Sequence, residues 1–296
     1  MRISFHLGLH ATDEGRLIRS VLRSRGQLAE EGIHVPAPRH YRQILREALN
    51  VLGSGRASAD AQAALLDAIA DADRIRRLVV SHESLIAMPG WAVSEAGLYV
   101  QAPSRMRAIQ NLFPDHEVEF FLALCNPATL VPILAAQAGE NNFCSTCSAA
   151  TAFHLTWLQS LRAIADAGLE MPVTVWCNED TPLLWPELLR ALSGYQGDAP
   201  LEGDMDLLAG LLTDEGLAAL NASLADDPRV GDPRADAAAR RARVSDALLA
   251  HARPDQMEME VTLPGWTEAA VARITERYLR DWEEICTLPG LTAIRP

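Results

Sequence analysis

The stretch ISFHLGLHATDEGRLIRSVL, residues 3–22, decides the fold class. Its apolar start predicts a β-strand over Arg2–Leu7, and the apolar residues that follow Gly8 recur near helical spacing, which predicts a helix from about Asp13 to Glu31. A strand that turns at a glycine into a helix is where many α/β proteins bind a phosphate, because the N–H groups of the helix start point at the ligand. This turn carries adjacent aspartate and glutamate residues and no lysine.

Three further apolar runs predict strands at Leu78–Ser81, EVEFFLALC (117–125) and PVTVWC (172–177). Helical patterns separate these runs and are expected over residues 41–52, 58–73, 105–113, 143–167 and 182–192. Short apolar strands joined by helices indicate a parallel sheet, because parallel strands need crossover connections. We therefore predict a three-layer α/β/α fold with a short parallel sheet.

The last third of the chain has a different pattern. Everything after about Leu183 reads helical, and residues 198–296 contain four helix patterns. We therefore predict an α/β domain over residues 1–197 and a helical C-terminal extension over residues 198–296 that packs on it.

Composition limits the function. A chain of 296 residues with 49% hydrophobic residues can form a globular core, and its net charge of -13 disfavours nucleic acid as a partner. The run RRAR at 240–243 is interpreted as a solvated helix face. No apolar run is long enough for a membrane span and no secretory signal is visible, so a cytoplasmic protein is expected.

The residue types present narrow the chemistry further. All 26 basic residues are arginines, so no lysine can bind a phosphate or act as a general base. The five cysteines are expected to be reduced thiols. Cys144 and Cys147 have C-x-x-C spacing, with His154 nearby, but no second pair completes a zinc site. Two structural thiols are therefore favoured over a redox pair or a metal site.

Four segments together resemble the bacterial sulfotransferase-like proteins, which have a P-loop-type fold. They are the opening FHLGLHATDEGRLIRSVLRSRGQLAEEGIHVP, then LVVSHESL, LFPDHEVEFFLALCNP and PVTVWCNED, and they span about residues 3–195. The resemblance implies sulfuryl transfer from 3'-phosphoadenosine 5'-phosphosulfate to a hydroxyl of a small molecule or glycan. That nucleotide would be a co-substrate, not a prosthetic group.

The resemblance also assigns residues to the nucleotide. Gly8 matches the first glycine of the phosphate-binding loop, Thr12 matches its first threonine, and Gly15 falls on its last position. Arg16, or alternatively Arg19, is the candidate to reach back to the anion. The cofactor-binding residues expected from the resemblance are therefore Gly8, Thr12, Gly15 and Arg16.

This sequence departs from the family at its charged positions. Ala11 falls on the loop lysine, Cys125 on the arginine that holds the 3'-phosphate, and Ile133 near the corresponding serine. Unit charges about 4 Å apart at an effective dielectric constant near 20 repel by roughly 4 kcal/mol, so the two loop carboxylates oppose a dianion. As the start of a helix, the same carboxylates are favourable.

The catalytic candidates are a general base and a nucleophile. The Ser-x-Glu segment at Ser81 resembles that of the family, in which an acidic or histidine side chain near the cleft can deprotonate the acceptor hydroxyl. The resemblance therefore implies His10 and Glu83 as catalytic residues, with His82 as an alternative base. The competing interpretation is that Glu83 caps the next element or pairs with an arginine. A third hypothesis makes Cys177 a nucleophile, with His82 or His154 as its partner. The competing interpretation is that residues 178–181 form a polar turn that begins the next helix.

Two functions of different class follow. One is a divergent sulfotransferase that uses arginines in place of the loop lysine. The other is a non-catalytic relative whose cleft has become a binding surface. The sequence leaves the acceptor and the oligomeric state open.

Overall fold

A mixed set of strands and helices alternates along the chain in the computed structural model, which describes residues 1–70, 75–138, 152–227, 236–257, 263 and 265–296. The strands in these ranges are β1 Arg2–His6, β2 Ile33–His34, β3 Arg77–Ser81, β4 Val93–Ser94, β5 Gly97–Leu98, β6 Glu117–Leu124, β7 Val173–Cys177 and β8 Leu291–Ala293. β4 and β5 form a small antiparallel hairpin apart from the main sheet.

The main sheet has six strands in the order β2-β3-β1-β6-β7-β8, and every neighbouring pair is parallel. The chain runs from β1 to the edge strand β2, returns to β3 beside β1, and then crosses to the other side of β1 at β6. Ligands of open parallel sheets bind where such connections leave in opposite directions. A ligand site is therefore expected at the carboxyl end of β1.

Thirteen helices connect and cover the strands of the described ranges. They are α1 Arg16–Arg23, α2 Arg25–Glu30, α3 Pro38–Leu52, α4 Ala59–Ile69, α5 Ala102–Leu112, α6 Pro127–Ala138, α7 Trp157–Asp166, α8 Thr181–Ser193, α9 Asp206–Leu211, α10 Asp214–Ala225, α11 Ala237–His251, α12 Pro254–Met257 and α13 Glu268–Ile285.

The sheet is buried on both faces, as the continuous apolar run of β6 requires. Successive β6 residues lie in the cores on opposite faces of the sheet. Phe120 belongs to the core that includes α3, α5 and α13, whereas Phe121 belongs to the core that includes α1 and α8. This alternation follows from the two-residue period of a strand. The architecture is α/β with a parallel sheet, compatible with a three-layer α/β/α fold.

The strand predictions at β1, β3, β6 and β7 are confirmed, but the hairpin strands β4 and β5 and two strands of the main sheet were missed. β2 lies in the segment GIHVPAP, where only a helix end was expected. The prediction that everything after Leu183 is helical is wrong, because β8, Leu291–Ala293, pairs with β7. Both strands are too short to show a periodic pattern.

Most helix predictions hold, but no helix was predicted at α6, and the helix expected over 143–167 is wrong at residues 153–156, which are not helical. The helix expected over 13–31 is divided into α1 and α2 at Ser24. Parts of the helices expected over 58–73 and 143–167, and the pair Cys144 and Cys147, lie outside the described residues. No helix in the described ranges is both long enough and apolar enough to cross a membrane.

Candidate functional site

A cleft of about 630 Å³ opens at the carboxyl ends of β1 and β3. The loop between β1 and α1 forms one wall, and the start of α3 together with the segment after β3 forms the other. Polar and charged side chains line it, namely His10, Thr12, Asp13, Glu14, Arg19, Arg42, Ser81, Glu83, Ser84 and Gln137. The cleft therefore lies at the position that the sheet topology favours.

The β1–α1 loop is tightly wound. Gly8, Ala11, Glu14 and Gly15 all have positive φ angles, of 44°, 57°, 52° and 73°. A Cβ atom added at Gly8 would lie 2.8 Å from Cε1 of the His6 ring, so only glycine fits there. The two non-glycine residues in this conformation are strained, which is common in loops that shape a site.

Asp13 occupies the N-terminus of α1. Its Oδ2 atom accepts the N–H of Leu17 at 2.8 Å, and its backbone carbonyl accepts the N–H of Arg16 at 2.8 Å. The Asp13 side chain is only 7% exposed. Two of the first N–H groups of the helix, which would bind a phosphate in a nucleotide site, are therefore bonded to the chain's own aspartate, one of them by its side chain.

The expected cofactor-binding residues do not all face the cleft. Gly8, Thr12 and Gly15 line it, but the Thr12 hydroxyl donates to the carbonyl of Leu9 at 2.7 Å. Arg16 is not among the lining residues. Arg19 is, and its Nη1 donates to the Glu14 carbonyl at 3.2 Å. The cation at the loop is thus Arg19, the alternative to Arg16.

His6 lies beneath the loop and was missed by the sequence analysis. Its Nδ1 is 2.9 Å from the Ser81 hydroxyl, and its Nε2 is 3.9 Å from Oδ1 of Asp13. Burial lowers the pKa of His6, so the ring is neutral near pH 7. A Ser81 hydroxyl that donates to Nδ1 leaves the ring proton on Nε2, directed toward the aspartate.

His10 is held by Tyr99, a residue of the segment after β5. The Tyr99 hydroxyl oxygen accepts the backbone N–H of His10 at 3.1 Å and lies 2.8 Å from its Nδ1. Tyr99 is buried, and burial raises its pKa, so its hydroxyl keeps a proton to donate to Nδ1. A Tyr99 hydroxyl that donates to Nδ1 leaves the ring proton of a neutral His10 on Nε2, an atom that is itself buried.

Glu83 is paired with Arg42 from α3. The guanidinium contacts both carboxylate oxygens, at 3.1 Å and 2.7 Å, and its Nε donates to the Ser81 carbonyl at 3.2 Å. The interpretation that Glu83 pairs with an arginine is confirmed. The side chain still lines the cleft and is 43% exposed, so it remains accessible to a ligand hydroxyl.

His82 does not line the cleft. It is buried, and its Nδ1 accepts the N–H of Ser84 at 3.3 Å. Burial, followed by the positive charge of Arg42, lowers the pKa of His82 to about 4. His82 is therefore a neutral structural residue at the end of β3.

The charges in the cleft are mixed. Arg19 and Arg42 face three carboxylates, those of Asp13, Glu14 and Glu83. A ligand with several negative charges would meet more anionic than cationic groups. A neutral ligand that both donates and accepts hydrogen bonds meets suitable partners on both walls.

A second polar cluster lies at the carboxyl ends of β6 and β7. Tyr278 of α13 lies 2.8 Å from a Glu179 carboxylate oxygen and 2.7 Å from the Leu124 carbonyl. Burial raises the pKa of Cys177 to about 12, so its thiol is not an activated nucleophile. Residues 178–180 form a short 3₁₀ turn before α8, as the polar-turn interpretation predicts.

The remaining cysteine and histidine predictions have simple outcomes. His154 is exposed, and no described contact joins it to Cys177. Cys125 occurs where the resemblance places an arginine, and its buried thiol has a raised pKa. No group of three metal-ligating side chains occurs within the ranges that the structure describes.

The site that results has hydrogen-bond donors at Arg19 and Arg42, and acceptors at Glu14 and Glu83. Arg42 and Tyr99 were missed because they come from α3 and from the segment after β5, far from the loop in sequence. Comparisons with protein-family models, with curated proteins and with solved structures give no match for this chain.

Proposed function

We propose that this chain is a sulfotransferase-like, P-loop-type protein whose cleft binds a small polar ligand without transferring a sulfuryl group. The likeness rests on the order of its segments and on the cleft between the β1–α1 loop and the end of β3. Fold alone does not fix chemistry, so the residues in the cleft decide between a catalyst and a binding protein.

The contact of Asp13 with the start of α1 carries the proposal. A nucleotide phosphate would bind the N–H groups at this helix start, and the Asp13 carboxylate already accepts one of them at 2.8 Å. Binding would require this buried side chain to leave, with the loss of a helix cap that contributes about 1 kcal/mol. Repulsion from Glu14 and Glu83 would add to that cost.

The cleft chemistry favours a ligand with several hydroxyl groups. Arginine donors and carboxylate acceptors both line a space of about 630 Å³, which is the size of sites for small organic molecules. Sugars and polyols present hydroxyls that both donate and accept. A small-molecule or glycan hydroxyl compound is therefore the proposed ligand class.

Calorimetric titration with 3'-phosphoadenosine 5'-phosphate tests the proposal. We expect no saturable heat at millimolar nucleotide, for the natural chain and for Arg19→Ala alike. Micromolar binding that is lost in Arg19→Ala but kept in Arg16→Ala would overturn it, because Arg19 lines the cleft and Arg16 does not.

That opposite result defines the second candidate, an active sulfotransferase. One observation favours it: Arg19 reaches the loop through the Glu14 carbonyl, so a cation does lie beside the anion position. In this candidate Glu83, oriented by Arg42, takes the proton of the acceptor hydroxyl. Release of the desulfated nucleotide in the presence of a hydroxyl acceptor is the activity to measure.

A further inference from the structure

A groove of different chemistry lies between α3 and α5. Its larger part, about 690 Å³, is lined on the α5 side by Ser104, Arg105 and Arg107. A smaller part of about 210 Å³ continues it along α3 past Arg46, toward the segment after β3. The two parts share Leu49, Asn50 and Arg105, so they form one elongated groove, here called the arginine groove.

All charged residues among the described lining residues of the arginine groove are arginines. This is unusual for the chain, which has a net charge of -13. Arg46 and Arg105 are exposed, and no described side chain forms a hydrogen bond or an ion pair with either guanidinium. Arg107 donates to the Ala167 carbonyl and retains further N–H donors.

The groove also has an apolar floor and amides on its rim. Leu49 and Ala108 lie in the larger part, and Leu85 and Met88 in the smaller one. Asn50 and Asn111 supply groups that can pair with a peptide backbone. Met88 is 51% exposed, so apolar surface remains open to a partner.

We propose that the arginine groove binds an extended acidic peptide segment of a partner protein. Its cationic lining complements carboxylate side chains, and its apolar floor accepts the residues between them. The groove is elongated because its two parts join at Leu49, Asn50 and Arg105, so an extended chain can make contacts in both parts. No aromatic side chain among the described lining residues offers a stacking surface to nucleic-acid bases.

The test uses a fluorescein-labelled peptide in which Glu alternates with Leu and Ser, and follows anisotropy with the full chain at low salt. We expect saturable binding in the micromolar range that weakens as salt rises. The same peptide with Gln in place of Glu should not bind. The double variant Arg46→Glu with Arg105→Glu should lower the affinity by at least about tenfold.

A matched control separates the groove from general charge. Arg25→Glu with Arg280→Glu changes the net charge equally at two exposed arginines that lie outside the groove and also have no described partner. It should bind the peptide as the natural chain does. Equal loss in both double variants would overturn the proposal, as would binding of the Gln peptide.

Two other partners are distinguished in the same assay. Labelled single-stranded DNA or vesicles of anionic phospholipid that bind through the groove arginines, while the Glu peptide does not, would contradict a peptide partner. None of these results depends on the β1–α1 cleft, because the nucleotide titration addresses different residues.

Discussion

The β1–α1 cleft and the arginine groove differ in how the chain uses its own charges. In the cleft, Asp13 bonds the start of α1 and Arg42 bonds Glu83, so the charged groups largely satisfy one another. In the groove, Arg46 and Arg105 have no described bonding partner. The position that the topology marks as a site is thus partly occupied by the protein itself, and the less conspicuous groove leaves its cations available.

This difference shows that a site's location and its chemistry are set by separate features. Parallel strands and a glycine turn place the cleft, whatever side chains the loop carries. The loop side chains then decide whether an anion can enter. Substitutions that disrupt the β1–α1 loop should therefore lower the free energy of unfolding substantially, whereas substitutions in the arginine groove should change it little.

The largest expected effect is at Gly8. Its positive φ and the 2.8 Å approach of an added Cβ to His6 predict that Gly8→Ala destabilises the protein by roughly 2–4 kcal/mol. Gly15→Ala is the control, because Gly15 has positive φ but only ordinary contacts at 3.6 Å. It should cost about 1 kcal/mol in denaturant unfolding. Equal losses would show that the loop can yield around His6.

The next largest effect is the loss of stability at acidic pH through His82. The pKa of His82 is lowered to about 4 in the folded chain, so the unfolded chain binds the proton first as pH falls. This contribution to stability is complete above about pH 6.5 and is lost toward pH 4, by about 2–3 kcal/mol. His82→Asn, which can still accept the Ser84 N–H, should lose correspondingly less across that range in unfolding titrations. Identical pH profiles would contradict this role.

Asp13 should have a smaller but specific effect. Asp13→Ala removes the acceptor of the Leu17 N–H and is expected to cost about 1–2 kcal/mol. The control is Asp60→Ala in the first turn of α4, where Ser58 and not Asp60 accepts the helix N–H. It should cost only a few tenths of a kcal/mol in the same unfolding experiment. A loss at Asp13 no larger than at Asp60 would remove the capping role.

The smallest effect on stability is expected in the groove. Arg46→Glu with Arg105→Glu breaks no described hydrogen bond, so its unfolding free energy should stay within about 0.5 kcal/mol of the natural chain. A loss well above 1 kcal/mol would mean that these guanidinium groups are needed for folding.

The sequence predicted the α/β class and four of the six sheet strands because buried parallel strands are long apolar runs. It missed β2 and β8, since strands of two and three residues have no readable period and form only by pairing with neighbours. It also did not predict the division of the first helix at Ser24, where neither a glycine nor a proline is present.

The candidate site was predictable in place but not in its contacts. The loop residues Gly8, Thr12 and Gly15 line the cleft as expected. The partner of His10 is Tyr99, and the partner of Glu83 is Arg42, each far away in sequence. No spacing rule reveals contacts between segments so far apart in sequence.

The most direct test of the account is a thermal-shift titration with pyrophosphate against chloride at matched ionic strength, on the natural chain, Asp13→Ala and Asp60→Ala. If the Asp13 carboxylate holds the place of an anion, removal of that side chain should free the start of α1. Asp13→Ala should then show a saturable rise in Tm that the other two lack. A rise of equal size in the natural chain would contradict the central claim, because the anion would then bind with Asp13 in place.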